Sequence, residues 1–167
     1  MSALMQFISN VPDFPQPGVL FRDISPLLRN HLPATLDALE NLLTPVEWAR
    51  IDAVAGIESR GFILGAALAT RCRKGFVLVR KQGKLPPPVV DISYRLEYGS
   101  GVLEMQPGHG RVLLIDDVLA TGGTLRAAAD LCGLAGYEVG ALAVLVDLAM
   151  VSNFTWGRER VRVAVAY

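Results

Sequence analysis

Cysteine is nearly absent from this chain. Only Cys72 and Cys132 occur in 167 residues. They lie far apart, so neither a disulfide nor a metal site is expected, and both are assigned to a reduced, packed interior. An excess of one charge is missing as well. Sixteen Lys and Arg balance sixteen Asp and Glu, for a formal net charge of zero. No basic surplus points to a nucleic acid or a membrane surface. Long apolar runs are also lacking: no uncharged stretch approaches the roughly 18 residues that a spanning helix needs. The opening segment MSALMQFISNVPDF carries no basic n-region and no small-residue cleavage signal, so no signal peptide is expected. Together these absences predict a cytoplasmic protein with neither a nucleic-acid nor a membrane partner.

What is present is apolar. Hydrophobic residues make up 51% of the chain and charged ones 19%, which predicts one globular domain spanning residues 1–167. Leu36, Leu39, Leu42 and Leu43 recur at helical spacing and predict a helix over 33–48. IDAVAGI reads as a strand, ESRG as a turn and FILGAALATRC as a helix. FVLVRK is a further strand. KQGKLPPPVVD, with Pro86, Pro87 and Pro88 in succession, reads as an exposed, mobile loop. ISYRLEYGSGVLEM alternates as a hairpin turning around Gly99 to Gly101. RVLLIDDV is a strand, TLRAAADLCGLAG a helix ending at Gly136, and EVGALAVLVDL another strand. VRVAVAY is expected as a final edge strand. Strands apolar on both faces and alternating with helices predict an α/β fold, a mostly parallel twisted sheet flanked by helices. Ligands in such sheets bind at the carboxyl ends of the strands, where GIESRG and DDVLATGGT fall.

The second of these loops carries most of the chemical information. Gly122 and Gly123 let the backbone curl and turn several N–H groups toward one point. Thr121 and Thr124 add hydroxyl donors, and the following helix adds the positive end of its dipole. Such a loop cradles a phosphate monoester. Asp116 and Asp117 would repel a phosphate in direct contact, so they suit ribose hydroxyls or a hydrated Mg²⁺. A sugar phosphate satisfies both halves.

The segment resembles the phosphoribosyl-diphosphate motif of the type I phosphoribosyltransferases. DFPQPGVLFRDISPLL, AGIESRGFILG, RKQGKLP and YRLEYG narrow the resemblance to the adenine phosphoribosyltransferases, from about Asp13 to Leu148. It implies the transfer of a phosphoribosyl group from 5-phosphoribosyl 1-diphosphate to adenine, giving AMP and diphosphate, with Mg²⁺ on the donor and a homodimer as the working unit. It also implies a small N-terminal base-binding hood (about 1–32) and a mobile β-hairpin catalytic loop (about 81–106).

Roles follow from the same resemblance. Ala120, Thr121, Gly122, Gly123 and Thr124 grip the 5'-phosphate, while Asp116 and Asp117 face the ribose and the metal's water shell. No direct protein ligand to Mg²⁺ is assigned. The leaving diphosphate develops charge that needs cations, here Arg60, Arg80, Lys81 and Lys84. The main chain of Leu20, Phe21 and Arg22 meets adenine's adjacent N1 acceptor and 6-amino donor, with Phe21 stacked on the ring and Val118 and Leu148 as apolar walls. Glu97 handles the purine proton and Tyr98 covers the reacting centre. Asp91 and Glu104 are expected as solvated charges, His109 as a turn residue and His31 as a surface residue. Two alternatives stay open: a transferase for a 6-oxopurine or another base, and a non-catalytic sensor of the same donor. The ending NFTWGRERVRVAVAY departs from the family pattern.

Overall fold

The computed structural model describes residues 3–96, 99–151 and 153–167. A short 3₁₀ turn (Met5–Phe7) precedes a two-stranded antiparallel ribbon, β1 (Ser9–Val11) and β2 (Phe21–Asp23). Three short helices follow: α1 (Ser25–Asn30), α2 (Leu32–Glu40) and α3 (Pro45–Ala49). The remaining elements are β3 (Ala53–Ile57), α4 (Arg60–Arg71), β4 (Gly75–Lys81), β5 (Val90–Leu96), β6 (Gly99–Met105), β7 (Arg111–Leu119), α5 (Gly123–Leu134), β8 (Glu138–Asp147), β9 (Thr155–Trp156) and β10 (Glu159–Ala166). They build one sheet in the order β5-β6-β4-β3-β7-β8-β10-β9. β4, β3, β7, β8 and β10 run parallel, and the β5–β6 hairpin and β9 add antiparallel edges.

Both faces of the parallel strands are covered, which is why they read as unbroken apolar runs. On β7, Leu113 and Ile115 face a core shared with Leu27, Leu36, Leu39, Leu64 and Leu68 from α1, α2 and α4. Val112 and Leu114 face the opposite core, with Leu125, Ala128 and Leu131 of α5. Among the described residues no helix is long and apolar enough to cross a membrane. Cys132 is buried and Cys72 half-buried, and both are free thiols. Burial pushes the Cys132 thiol up to about 12.

The structure corrects several local expectations. The helix expected over 33–48 is two helices. Thr44 forms a reciprocal capping box with Glu47, and Pro45 occupies the first turn of α3, so a new helix starts where the leucine periodicity continues. VRVAVAY is not the edge: β10 lies between β8 and the two-residue β9. Gly99 to Gly101 belong to β6, and the hairpin register closes at Leu96 opposite Gly99. His31 is half-buried rather than on the surface, with its ring stacked on Phe7 at 3.6 Å between centroids. Glu104 is not solvated. It is 3% exposed, and its carboxylate accepts backbone N–H bonds from Gly83, Lys84 and Leu85. That charge stays ionised indoors because three donors replace its water.

Candidate active site

β3, β4 and β7 are parallel neighbours, so their carboxyl ends open onto one edge of the sheet. Glu58 and Arg60 follow β3, Arg80 and Lys81 close β4, and Asp116 and Asp117 lie near the end of β7. Strand geometry alone thus gathers the acids and cations that the sequence scatters over sixty residues.

At the end of β7 the chain turns into α5 through Gly122, whose φ of +81° is open to glycine at no steric cost. No side chain caps α5, leaving its first N–H groups directed at a small cavity of about 80 Å³ lined by Asp116 and Val118 to Leu125. This is the geometry of an anion cradle. Phe154 supports it from outside: a Cβ on Gly122 would lie 2.3 Å from the Phe154 ring. The Arg126 guanidinium sits 5.2 Å from the centroid of that ring. The divergent C-terminal stretch therefore backs the Gly122 loop through Phe154.

The two aspartates differ. Asp117 is 7% exposed, and its Oδ2 lies 2.5 Å from Nε of Arg60. Asp116 is half-buried, and its Oδ1 accepts the Asp117 backbone N–H at 2.9 Å. Burial first, and then the Asp117 carboxylate beside it, pushes the Asp116 carboxyl well above the usual range. A Cβ on Gly61 would stand 3.1 Å from the Ile115 carbonyl oxygen and 3.2 Å from Asp116 Oδ1, so a side chain there would crowd α4 against the strand.

A larger cavity of about 350 Å³ lies beneath β2. Gly18 to Arg22, Arg60, Val118, Ala120, Leu148 and Met150 line it. The residues expected at the base, Leu20, Phe21, Arg22, Val118 and Leu148, all meet here. The loop before β2 is folded back by Asp13, whose carboxylate accepts the Gly18 N–H at 2.7 Å. Phe14 packs edge-on against Phe21 at 5.1 Å, and Arg60 lies 5.2 Å from the Phe21 centroid. Val118 and Ala120 line both this cavity and the smaller one at the start of α5, so the two chambers share one wall.

Arg80, Lys81 and Lys84 gather around an acid, Glu58, that the sequence reading missed. Glu58 Oε1 lies 2.5 Å from Lys84 Nζ, and its Oε2 lies 3.2 Å from Arg80 Nε and accepts the Lys81 N–H at 3.0 Å. Burial pushes the Glu58 carboxyl up, but Lys84, the Lys81 N–H and Arg80 outweigh it and hold it below the usual range. The Glu58–Ser59 peptide bond is cis. The available signal for Glu58 was an acid in ESRG close to three cations that need a counter-charge. The structure pairs Arg60 with Asp117 and sets its guanidinium 5.2 Å from the centroid of the Phe21 ring. Glu97 and Tyr98 lie outside the described residues.

The comparisons agree with this geometry. Residues 37–150 match the model of the phosphoribosyl transferase domain. An adenine phosphoribosyltransferase of Bdellovibrio bacteriovorus is 52% identical over 164 residues, covering 98% of this chain and 99% of that protein. The chain belongs to the adenine phosphoribosyltransferase family. Among solved structures, the adenine phosphoribosyltransferase of Rhodothermus marinus superposes with a TM-score of 0.85 at 42% identity, over 98% of this chain and 96% of that one. An APRTase from Giardia lamblia, complexed with 9-deazaadenine, gives a TM-score of 0.86 at 38% identity, over 100% and 98% of the two chains. The Giardia lamblia structure covers 100% of this chain, so the C-terminal stretch 153–167 falls within the matched fold.

Proposed function

We infer that this chain transfers the 5-phosphoribosyl group of 5-phosphoribosyl 1-diphosphate to adenine, yielding AMP and diphosphate in purine salvage. The observation that carries the reading is the shared wall. A purine in the 350 Å³ chamber and a 5'-phosphate in the α5 loop lie on either side of Val118 and Ala120, with the ribose spanning Asp116 and Asp117. In that pose the base nitrogen approaches C1' as the C1'–oxygen bond breaks, and the electron pair leaves with the diphosphate. Arg80, Lys81 and Lys84 receive the departing charge, and Arg60 completes the set once its pairing with Asp117 loosens.

Mg²⁺ suits this donor set. Two adjacent carboxylates are present, one already ion-paired, and no cluster of three or more ligating side chains occurs among the described residues. That is a poor cage, but it fits an ion that keeps its waters and rides on substrate phosphates. When bound, Mg²⁺ would neutralise charge on the diphosphate, and Asp116 and Asp117 are the residues that would hold its water shell. Glu97 takes the purine's ring proton, and Tyr98 screens the centre from water, which competes for an oxocarbenium-like carbon. Residues 1–32 act as the hood over the base and 81–106 as the moving loop. The working unit is a cytoplasmic homodimer.

An absorbance assay with adenine, hypoxanthine and guanine, each with the donor and Mg²⁺, tests the reading. Adenine is expected to lead hypoxanthine by at least about 10² in kcat/KM, because a main-chain donor–acceptor pair leaves a 6-oxopurine mismatched. Comparable values for the two bases sink the assignment in favour of a 6-oxopurine enzyme.

A further inference from the structure

β6 fastens the cationic loop that follows β4, and the fastening is unusual in kind. Gln82 N–H donates to the Val102 carbonyl at 3.1 Å. Gly83 N–H donates to Glu104 Oε2 at 2.9 Å, and the Lys84 and Leu85 N–H groups donate to Oε1 at 2.7 Å each. Gln106 Nε2 donates to the Pro86 carbonyl at 3.2 Å. Three successive N–H groups converging on one anion form a nest of the sort that ordinarily binds a ligand. Here the anion is the protein's own, and Gly83, at φ +81°, supplies the turn that closes it.

A buried carboxylate is a poor choice for stability alone. Removing it from water carries a desolvation cost, and an apolar side chain of similar size often serves the fold as well. Leu103 and Met105 on either side, at 1% and 0% exposure, are apolar. What the carboxylate provides and they do not is a fixed backbone path for Gly83 to Leu85. That path sets where Lys84 emerges, and Arg80, the register partner of Glu104 on β4, donates to the Lys84 carbonyl at 3.3 Å. Glu58 then receives both cations from the other side.

We propose that Glu104 is a positioning residue for the diphosphate end of the donor: its buried carboxylate shapes the Gly83–Leu85 turn so that Lys84 and Arg80 are presented together to the leaving group. The inference rests on the transferase reading above. It makes Glu104 act on one ligand fragment only, since adenine and the 5'-phosphate are held by β2 and the α5 loop.

The test uses the full chain with Glu104→Gln, which keeps the shape but sets an amide N–H₂ among three donors, and separately Gly83→Ala, which strains the turn at positive φ with no atom within 4 Å to collide with. Diphosphate with Mg²⁺ and AMP are titrated calorimetrically, and KM is measured for the donor and for adenine. Diphosphate Kd and donor KM are expected to rise together, about tenfold or more, as for any misplaced charge contact. AMP Kd and adenine KM should stay within about twofold of wild type. A lowered melting temperature with unmoved diphosphate Kd in both variants overturns the role and leaves Glu104 a fold residue. Equal losses for all four ligands overturn it too. Wild-type protein that binds neither diphosphate nor donor overturns the transferase reading itself, a result distinct from wild-type binding that the variants leave unchanged.

Discussion

Nε of Arg60 stands 2.5 Å from Oδ2 of Asp117, tying the first residue of α4 to the carboxyl end of β7. The acid is almost wholly buried, and the cation is about a third exposed. Removing the arginine leaves a carboxylate indoors without its partner.

Arg60→Ala is therefore expected to lose about 1–3 kcal/mol of stability, below the full cost of breaking a buried pair because the arginine still reaches solvent. Asp117→Asn added to it should recover most of that loss while donor KM stays raised. Urea denaturation of the four proteins checks this, and a single variant as stable as wild type shows that the pair contributes nothing to the fold.

At Gly122 two penalties coincide. A side chain there meets positive φ, worth about 1–2 kcal/mol, and the Phe154 ring at 2.3 Å. Gly122→Ala should raise donor KM at least tenfold, by roughly the factor those penalties imply, and lower the melting temperature. Phe154→Ala in the same chain relieves the collision but not the backbone strain, so recovery is partial. Wild-type donor KM in Gly122→Ala rules out the loop as the phosphate cradle.

Much of this site was legible before any coordinates. RVLLIDDVLATGGT announces strand, acids, loop and helix by local chemistry alone, and Phe21 with its neighbours is marked by the resemblance. Glu58, Glu104 and Phe154 were not legible, because each matters through a partner 19 or more residues away: Glu58 through Lys84, Glu104 through Lys84 and Leu85, Phe154 through Gly122. Composition treats a lone glutamate as solvated, and only the sheet order brings donors to it. The break between α2 and α3 was missed for a different reason. Leucine spacing runs across it, and the Thr44–Glu47 capping box was overlooked beneath that rhythm.

Glu97→Gln separates chemistry from binding. With the carboxyl group as proton acceptor at the purine, kcat is expected to fall by roughly 10² to 10⁴ while donor Kd hardly moves. Stopped-time assays alongside donor titration decide it. Near-normal kcat removes the catalytic role, and equal losses in both quantities indicate a damaged hairpin instead.

Glu47 gives a pH signature. Arg162 first, then the N–H and hydroxyl of Thr44, hold its carboxyl at about 2, against 4.5 for an unperturbed group. A depressed acid stabilises the fold above its unfolded value and loses that contribution as pH falls through the folded one. The melting temperature of Glu47→Gln should lie below wild type at pH 6, and the gap should close between about pH 4.5 and 2. A gap independent of pH refutes the linkage.

The wall formed by Val118 and Ala120 has a consequence for base preference. Val118 and Ala120 line both chambers, so bulk added there intrudes on one or the other, and on the transferase reading a change that suits a new base also disturbs the grip on the sugar phosphate. The opposite side of the larger chamber, from Gly18 to Arg22, does not line the α5-loop cavity. Substitutions from Gly18 to Arg22 are thus expected to alter base preference without changing donor KM, whereas bulk at Val118 or Ala120 changes both.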